Sequence, residues 1–423
     1  MLLSSAGSEL TQPAAAPCAP RAVVKVQRRK YATDALIEIE THRRIDRRDP
    51  ASRYIIRLLD TLFHDGHICQ VYERAGGDTA RLTRQQPMPV DDVRLLTRHV
   101  LQALHLLHAQ GLVHTDVKPR NILWCPETRE ARLIDLGAVE ARLTTGEPIA
   151  TREYAPPEML VGSPMDRAVD LWSLACTVFQ LLTADYLFDP WAVCSEKYEE
   201  FDREAYDKAP PSEDDLDEER EQLAPGTVLV GKYRLTEVLG GGKFCTAWEA
   251  EVLHENPIAA ALPSREEARA IERAARRPKP PKTGPTLYEV ALDYEHFVLI
   301  QERLGPFPEH LAREGKYRDF FYEPGGALRF QPRLEPKPIR ELLISAHQFE
   351  PDAAAAVEAF LLPMLRPDPA ERATVAEVLR SPWLTEPSEP FRGDGAQGPS
   401  ASRWASSSSS WMMATLLALS LIA

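Results

Sequence analysis

The 423-residue sequence is poor in cysteine and has no excess of basic residues. Its six cysteines are scattered, and no two of them form a Cys-x-x-Cys pair, which argues against a disulfide framework or a zinc site. Lysine and arginine number 50 against 63 acidic residues, so the net charge of −13 gives no sign of direct nucleic-acid binding. Hydrophobic residues make up 44% of the chain and support a sizeable core, which leaves room for one large domain with additional segments.

Long apolar runs are also lacking. The apolar stretch at residues 411–423 is 13 residues long, whereas a membrane-spanning helix needs roughly 17–25 residues. The N-terminus has no basic flank of the kind that begins a secretory signal. We therefore expect disordered ends and a location in the cytoplasm, the nucleus or both. Weak membrane association of the apolar end is the alternative.

The sequence does contain a short segment in which polar residues occur at a specific spacing. Residues 114–123 read His-Thr-Asp-Val-Lys-Pro-Arg-Asn-Ile-Leu, and an Asp-Leu-Gly triplet begins at Asp135. This string resembles the catalytic loop of protein kinases, in which Asp116 would accept the proton of a substrate hydroxyl and Lys118 would neutralise the migrating phosphoryl group. Asn121 and Asp135 are the predicted magnesium ligands, because a loop followed by a short hairpin can bring them around one metal pair.

A lysine and a glutamate upstream of this loop belong to the same pattern. The predicted buried strand at 22–26 carries Lys25, the expected ligand of the α- and β-phosphates of ATP. Thirteen residues later, the helical pattern at 35–39 places Glu38 where it can pair with Lys25. The alternative is that both are ordinary solvated side chains.

The apolar run at 68–73 is typical of the kinase strand that ends in the hinge over adenine. On that basis Tyr72 is the predicted gatekeeper, and Glu73, Arg74 and Ala75 are the predicted hinge residues. We expect Tyr72, Glu73 and Ala75 to line the adenine end of the nucleotide site.

Downstream of the Asp-Leu-Gly triplet, residues 154–158 close an activation segment of kinase type. Arg372 is the predicted buried partner of Glu158. Such a pair would be structural rather than catalytic, because an unpaired buried charge is costly.

Several stretches narrow the resemblance to the serine/arginine-rich protein kinase family, within the cyclin-dependent-like kinases. Threonine stands at position 115, where most kinases have arginine. The other matching stretches are 183–190, 315–321 and 360–365. Members of this family use ATP and magnesium to phosphorylate serines in Arg-Ser-rich splicing factors. The resemblance therefore implies a protein serine/threonine kinase with substrates of that type and a part in mRNA splicing.

Two positions refine this expectation. An arginine at position 115 normally binds a phosphorylated activation loop, so Thr115 predicts activity without that modification. Ala155 stands where the larger group usually has an arginine that shapes the floor of the substrate pocket. We therefore expect selection at the residue after the phosphosite to differ from that of the family.

The glycine-rich loop expected near the start of such a domain is displaced. Only 21 residues precede Ala22, and they contain neither a glycine-rich loop nor a pair of strands. The pattern of strand, loop and strand occurs instead at 231–250, with Gly240, Gly242 and Lys243 as the predicted phosphate-binding residues. A lone Gly-x-Gly more often marks an ordinary hairpin, and the flanking pattern is what favours a phosphate loop here.

Three explanations of this displacement stay open at the level of sequence. The hairpin folds back onto the strand that carries Lys25 and completes the site, or it is a vestige in a chain that binds ATP poorly, or the coding segments are out of order. The first is sterically allowed, because residues 191–226 can span on the order of 100 Å when extended. Loop-closure entropy also grows slowly with length.

The predicted fold class is α+β: a bilobal protein-kinase fold with a small antiparallel-sheet N-lobe, a mostly helical C-lobe and the glycine-rich hairpin displaced into a C-lobe insert. The predicted segments are a disordered N-terminus (1–21), the N-lobe without its first two strands (22–74), the first part of the C-lobe (75–190), an insert with an acidic linker and the hairpin 227–251 (191–293), the second part of the C-lobe (294–385) and a disordered tail with a short apolar end (386–423). The predicted function is ATP- and magnesium-dependent phosphorylation of serine or threonine. The alternative is a pseudokinase or scaffold with impaired ATP binding.

The acidic linker of this insert carries most of the chain's net charge. Residues 195–221 contain 13 acidic and 4 basic residues. Such a run predicts a solvated, disordered segment. The alternative is that it competes for a groove that binds basic peptides.

Overall fold

The described part of the chain forms two compact units. The computed structural model describes residues 21–49, 53–84, 86–137, 151–197, 223–241, 244–254, 262–275, 287–306, 308, 310, 315–316 and 334–385. The smaller unit comprises the described residues within 1–32, 58–74 and 218–274, and the larger unit comprises the described residues within 33–57, 75–217 and 275–423. The predicted disordered ends and nearly all of the acidic run lie outside the described residues. Within the part that is described, no helix is both long and apolar enough to cross a membrane.

Strands from three distant parts of the sequence build the main sheet. The described strands are β1 (Arg21–Gln27), β2 (Leu58–His64), β3 (His67–Glu73), β4 (Gly77–Asp78), β5 (Ile122–Cys125), β6 (Glu130–Leu133), β7 (Val228–Leu229), β8 (Tyr233–Gly241) and β9 (Cys245–Val252). Six of them form an antiparallel sheet in the smaller unit, in the order β2-β3-β1-β9-β8-β7. The other three form a small sheet, β4-β5-β6, in the larger unit.

The glycine-rich hairpin, β8 and β9, is part of this main sheet. β9 pairs with β1 over the full length of β1, from Arg21 opposite Glu251 to Gln27 opposite Cys245. An ion pair of 2.6 Å joins Arg21 to Glu249, which is 228 residues away in the sequence. The structure therefore shows that the hairpin folds back onto the strand that carries Lys25, as the first of the three explanations requires. Whether the hairpin completes the nucleotide site stays a prediction.

Apolar side chains of the hairpin fill the core of the smaller unit. Val24 and Val26 of β1 alternate inward and are buried together with Leu235, Trp248 and Ala250 of the hairpin. The period-2 alternation of β1 fixes which face meets this core. Without the hairpin that face of β1 would lose much of its apolar cover.

A polar cluster ties the start of β8 to β2. Lys232 Nζ donates to Asp60 Oδ2 over 2.7 Å, and the Tyr233 hydroxyl donates to the same oxygen over 2.9 Å. β2 and β8 are not neighbours in the strand order. These bonds therefore hold the sheet in a curl and add a second attachment for the hairpin.

The larger unit is mostly helical. Its helices and the one that follows the hairpin are α1 (Ala32–Arg48), α2 (Thr79–Leu82), α3 (Val90–His108), α4 (Pro157–Leu160), α5 (Ala168–Thr183), α6 (Pro190–Lys197), α7 (Arg265–Ala275), α8 (Leu287–Leu304), α9 (Ile339–Ser345), α10 (Pro351–Leu361) and α11 (Val375–Val378). α5 is apolar on all sides and buried along nearly its whole length, as expected of a central helix. The combination of an antiparallel sheet with these helices confirms the predicted α+β class.

The predicted ion pair between Glu158 and Arg372 is confirmed. Both side chains are almost fully buried, and the two guanidinium nitrogens of Arg372 donate to the two carboxylate oxygens over 2.7 and 3.0 Å. The guanidinium also lies 5.1 Å from the ring centroid of Trp172. The pair therefore fixes the end of the activation segment to the core of the larger unit.

Candidate active site

Asp116 is the centre of a hydrogen-bond network in the predicted catalytic loop. Lys118 Nζ lies 2.8 Å from Asp116 Oδ2. Asn121 donates from Nδ2 to the backbone oxygen of Asp116 over 2.8 Å and to Oδ2 over 3.0 Å. The side chains of Asp116 and Lys118 are only 15% and 19% exposed, so their attraction is less screened than on an open surface. The structure thus brings three predicted site residues together.

Thr151 completes this network, although it belongs to no motif predicted from the sequence. Its hydroxyl accepts a hydrogen bond of 2.7 Å from Lys118 Nζ and donates to Asp116 Oδ1 over 3.4 Å. The signal in the sequence is weak, because a threonine four residues before Ala155 has nothing unusual in its immediate surroundings. Its role is visible only once the chain has brought the activation segment back to the loop.

Asp170 holds the backbone of the catalytic loop from the first turn of α5. Its fully buried carboxylate accepts from the backbone N–H of His114 over 2.9 Å and of Thr115 over 2.7 Å. A third bond of 2.8 Å joins it to His108 Nε2. Thr115 has φ +69°, a strained value for a β-branched residue, and Asp170 stabilises that conformation.

The β5–β6 hairpin places Asn121 and Asp135 at one end of the small sheet. Asn121 directly precedes β5 and Asp135 follows β6 by one residue, with Ile122 opposite Leu133 in the register. The backbone N–H of Ile134 donates to the Asn121 carbonyl over 2.9 Å, which fixes the two loops to each other. This is the hairpin geometry expected for the two predicted magnesium ligands.

Glu38 of α1 lies beside the Asp-Leu-Gly turn. It is 2% exposed. A Cβ added to Gly137 would lie 3.6 Å from Glu38 Oε2 and 3.9 Å from Asp135 Oδ1, so the two carboxylates flank the same glycine. The solvated alternative for Glu38 is therefore wrong.

Lys25 is in the smaller unit, where it stands opposite Gln70 on β3 and Ala247 on β9. Its side chain is partly buried. Lys25 thus lies in the central part of β1, between β3 on one side and the glycine-rich hairpin on the other. Its pairing with Glu38 stays a prediction.

The predicted hinge residues lie at the end of β3. Tyr72 is buried and stands opposite Val23, Glu73 is the last residue of the strand, and Arg74 and Ala75 follow it. Gly76, which belongs to no motif predicted from the sequence, has φ +45°, and a Cβ there would come within 2.1 Å of the Trp124 carbonyl oxygen. Only glycine fits at this position, where the chain passes close to β5.

The predicted phosphate loop is described in part. Gly240 lies in β8 opposite Ala247. The carbonyl of Phe244 accepts from the backbone N–H of Arg28 over 3.0 Å, and the Phe244 ring meets Tyr31 edge-on at 4.8 Å. The tip of the hairpin is therefore anchored just beyond the end of β1. Gly242 and Lys243 lie outside the described residues, and their contact with phosphates stays a prediction.

The segment that follows Thr151 is fixed to α5 through Tyr154. The Ser173 hydroxyl donates to the Tyr154 carbonyl over 2.9 Å, and the Tyr154 hydroxyl donates to Gln180 Oε1. Burial raises the pKa of Tyr154 well above its ordinary value. The phenol therefore stays protonated and remains a donor at physiological pH.

A loop with Asp116, Lys118 and Asn121, followed by a hairpin and Asp135, defines a protein-kinase type of site. The protein kinase domain family matches residues 14–384. The chain therefore belongs to that family, and the predicted bilobal protein-kinase fold class is confirmed.

Similar proteins indicate the type of protein kinase. The chain is 23% identical to the serine/threonine-protein kinase SRPK of Physarum polycephalum, over 84% of this chain and 77% of that protein. It is 31% identical to the dual specificity protein kinase YAK1 of Saccharomyces cerevisiae, over 39% of this chain and 21% of that protein. It is 29% identical to the serine/threonine-protein kinase AFC1 of Arabidopsis thaliana, over 38% and 40%. These similarities confirm the predicted enzyme class, a protein serine/threonine kinase, and the resemblance to SRPK.

Proposed function

We propose that this kinase transfers the γ-phosphoryl group of ATP to serine or threonine in Arg-Ser-rich proteins, with magnesium as the metal ion. The observation that supports this most strongly is the network in which Lys118, Asn121 and Thr151 all contact the Asp116 carboxylate. Phosphoryl transfer depends mainly on positioned charge, and this network fixes a carboxylate and an ammonium group side by side.

Each residue of the loop has a proposed role. Asp116 accepts the proton of the substrate hydroxyl, and Lys118 neutralises charge that develops on the transferred group. Thr151 bonds to both side chains and keeps them in register. Loss of any one of these contacts would misplace the other two groups.

Asn121 and Asp135 fit a magnesium ion. Asn121 uses its amide nitrogen on Asp116, which leaves its Oδ1 outside those bonds, and Asp135 supplies a carboxylate from the neighbouring loop. Carboxylate and amide oxygens are the hard donors that magnesium prefers. When bound, the metal ion neutralises phosphate charge and orients the phosphates.

The remaining nucleotide contacts are proposed for the smaller unit and for Glu38. Lys25 would bind the α- and β-phosphates, with Glu38 as its counter-charge, and the backbone of the loop that contains Gly240 and Gly242 would cradle the phosphates. Pairing of the hairpin with β1 supports this assignment over a pseudokinase or scaffold role. The adenine contacts are proposed for the hinge residues named above.

The proposed substrate class rests on the resemblance to SRPK rather than on charge, because the chain outside residues 195–221 is only mildly acidic. A cytoplasmic or nuclear location follows from that class. A peptide array tests the substrate class: we expect serines with neighbouring arginines to be preferred. Preference for acidic or proline-containing contexts would overturn the assignment.

The Asp116→Ala change tests the catalytic role. We expect kcat to fall by roughly a hundredfold to ten-thousandfold, with ATP binding retained, because Asp116 acts on the hydroxyl and not on the nucleotide. Asp352→Asn is the matched control, since Asp352 is an exposed carboxylate of α10. Equal transfer by Asp116→Ala and the wild type on Arg-Ser peptides, measured with radiolabelled ATP, would refute the mechanism.

A further inference from the structure

An ion pair joins the residue after Thr151 to α8, the helix that begins at the end of the predicted insert. Arg152 Nε lies 2.5 Å from Asp293 Oδ1 on α8, and the two side chains are only 22% and 20% exposed. Arg152 also begins the short 3-10 turn that runs to Tyr154. The ion pair therefore attaches the turn that begins next to Thr151 to α8.

The helix that carries Asp293 is itself firmly packed. Leu292 forms an apolar cluster with Trp191 and Cys194 of α6. One turn beyond Asp293, the buried ring of His296 lies 5.5 Å from that of Phe188. The carboxylate of Asp293 is thus presented from a fixed point in the core of the larger unit.

The surroundings make Asp293 the natural counter-charge for Arg152. Burial, with a further contribution from the positive charge of Arg152, lowers the pKa of His296 to about 3. His296 is therefore neutral at physiological pH and adds no positive charge to this region. A carboxylate and a guanidinium that are both mostly shielded from water attract each other more strongly than an exposed pair.

We propose that Asp293 is a positioning residue for phosphoryl transfer: through Arg152 it holds Thr151 against Asp116 and Lys118. This inference rests on the proposed function. A carboxylate in the fold provides a permanent anchor for the activation segment, and kinases with arginine at position 115 use a phosphate on that segment instead. The anchor explains physically how a chain with Thr115 keeps its loop in place without a modification.

The Asp293→Asn variant tests the proposal, with protein treated with phosphatase so that no loop phosphate contributes. We expect kcat to fall roughly tenfold to a hundredfold, because small displacements of catalytic groups have effects of that size. The peptide KM should stay within about threefold of the wild type. Asp293→Glu keeps the charge and should restore most of kcat.

Asp92→Asn is the matched control. Asp92 forms a 2.7 Å ion pair with Arg129 in the same unit, but Arg129 is 51% exposed and neither residue contacts the catalytic loop. Its removal should leave kcat and KM unchanged. The double variant Arg152→Asp with Asp293→Arg reverses the pair and should recover part of the lost kcat.

Amide hydrogen exchange supplies a readout that does not need activity. The backbone N–H groups of Tyr154 and Ala155 bond to the carbonyls of Thr151 and Arg152, and their exchange should become faster in Asp293→Asn but not in Asp92→Asn. An Asp293→Asn protein with unchanged kcat and unchanged exchange overturns the proposal. So does a change confined to peptide KM, which would make Asp293 a substrate contact. Should the wild type transfer no phosphate, the proposed function falls, and exchange alone decides whether Asp293 positions the segment.

Discussion

The catalytic loop and the six-stranded sheet are assembled in opposite ways. In the loop, Asp116, Lys118 and Asn121 contact one another within a few residues of sequence. In the sheet, the ion pair between Arg21 and Glu249 joins positions 228 residues apart. The loop requires its residues in this order, whereas the sheet requires only that a matching strand reach the free edge of β1.

This difference explains how the displaced hairpin is accommodated. Because Glu251 stands opposite Arg21, the end of β9 lies next to the start of β1. A short connection at this point would give the usual order of strand, loop and strand followed by the lysine-bearing strand. The register of β9 on β1 therefore does not require the hairpin to precede β1 in the sequence, and long connections carry only a modest entropic cost.

The Asp60→Asn change should weaken the distant attachment of the hairpin. Asp60 accepts from both Lys232 and Tyr233, so the change leaves two mostly buried donors with a poorer acceptor. We expect a loss of about 1–3 kcal/mol in the free energy of unfolding, measured by urea titration. The exposed Glu237 of β8 provides the control, Glu237→Gln. Equal effects of the two changes would mean that the cluster contributes nothing.

The same cluster predicts a loss of stability at alkaline pH. Burial alone would lower the pKa of Lys232, but hydrogen bonds to Asp60 and Tyr233 raise it above 10.5. Burial and then Asp60 raise the pKa of Tyr233 above 10.0. Both protonated forms are favoured by the fold, so their stabilisation is complete below about pH 10 and is lost as pH rises through the raised values. In Asp60→Asn this alkaline loss should be smaller.

Two glutamates on β9 allow a buried ion pair to be compared with an exposed one. Glu249 is nearly buried and bonds to Arg21 and Arg74, whereas Glu251 forms a more exposed pair with Arg234. Glu249→Gln should lower the free energy of unfolding by about 1–2 kcal/mol, and Glu251→Gln by no more than about 0.5 kcal/mol. Thermal unfolding of both variants measures this. A larger effect at Glu251 would contradict the view that burial decides which ion pairs stabilise the sheet.

The difference between contacts within one loop and contacts between distant segments also decided what the sequence could predict. The contacts among Asp116, Lys118 and Asn121 were predictable because the loop is continuous and its spacing is specific. Glu158 and Arg372 were predictable because each belongs to a recognisable motif. Thr151 and Asp293 were not, since their importance arises from tertiary contacts between segments without a local signal. The register of β9 on β1 was likewise beyond the sequence, which could only show that such pairing was sterically allowed.

ATP affinity, measured by calorimetry, tests the central claim that the displaced hairpin belongs to the nucleotide site. Three proteins are compared: the wild type, a deletion of residues 233–249, and a rearranged chain with 227–254 moved ahead of Arg21 through a short linker. We expect the deletion to weaken ATP binding at least about tenfold, because backbone contacts to the phosphates are lost. The rearranged chain should bind within about threefold of the wild type, because the register of β9 on β1 is kept. A deletion that binds ATP as well as the wild type, or a folded rearranged chain that does not bind it, would contradict the account.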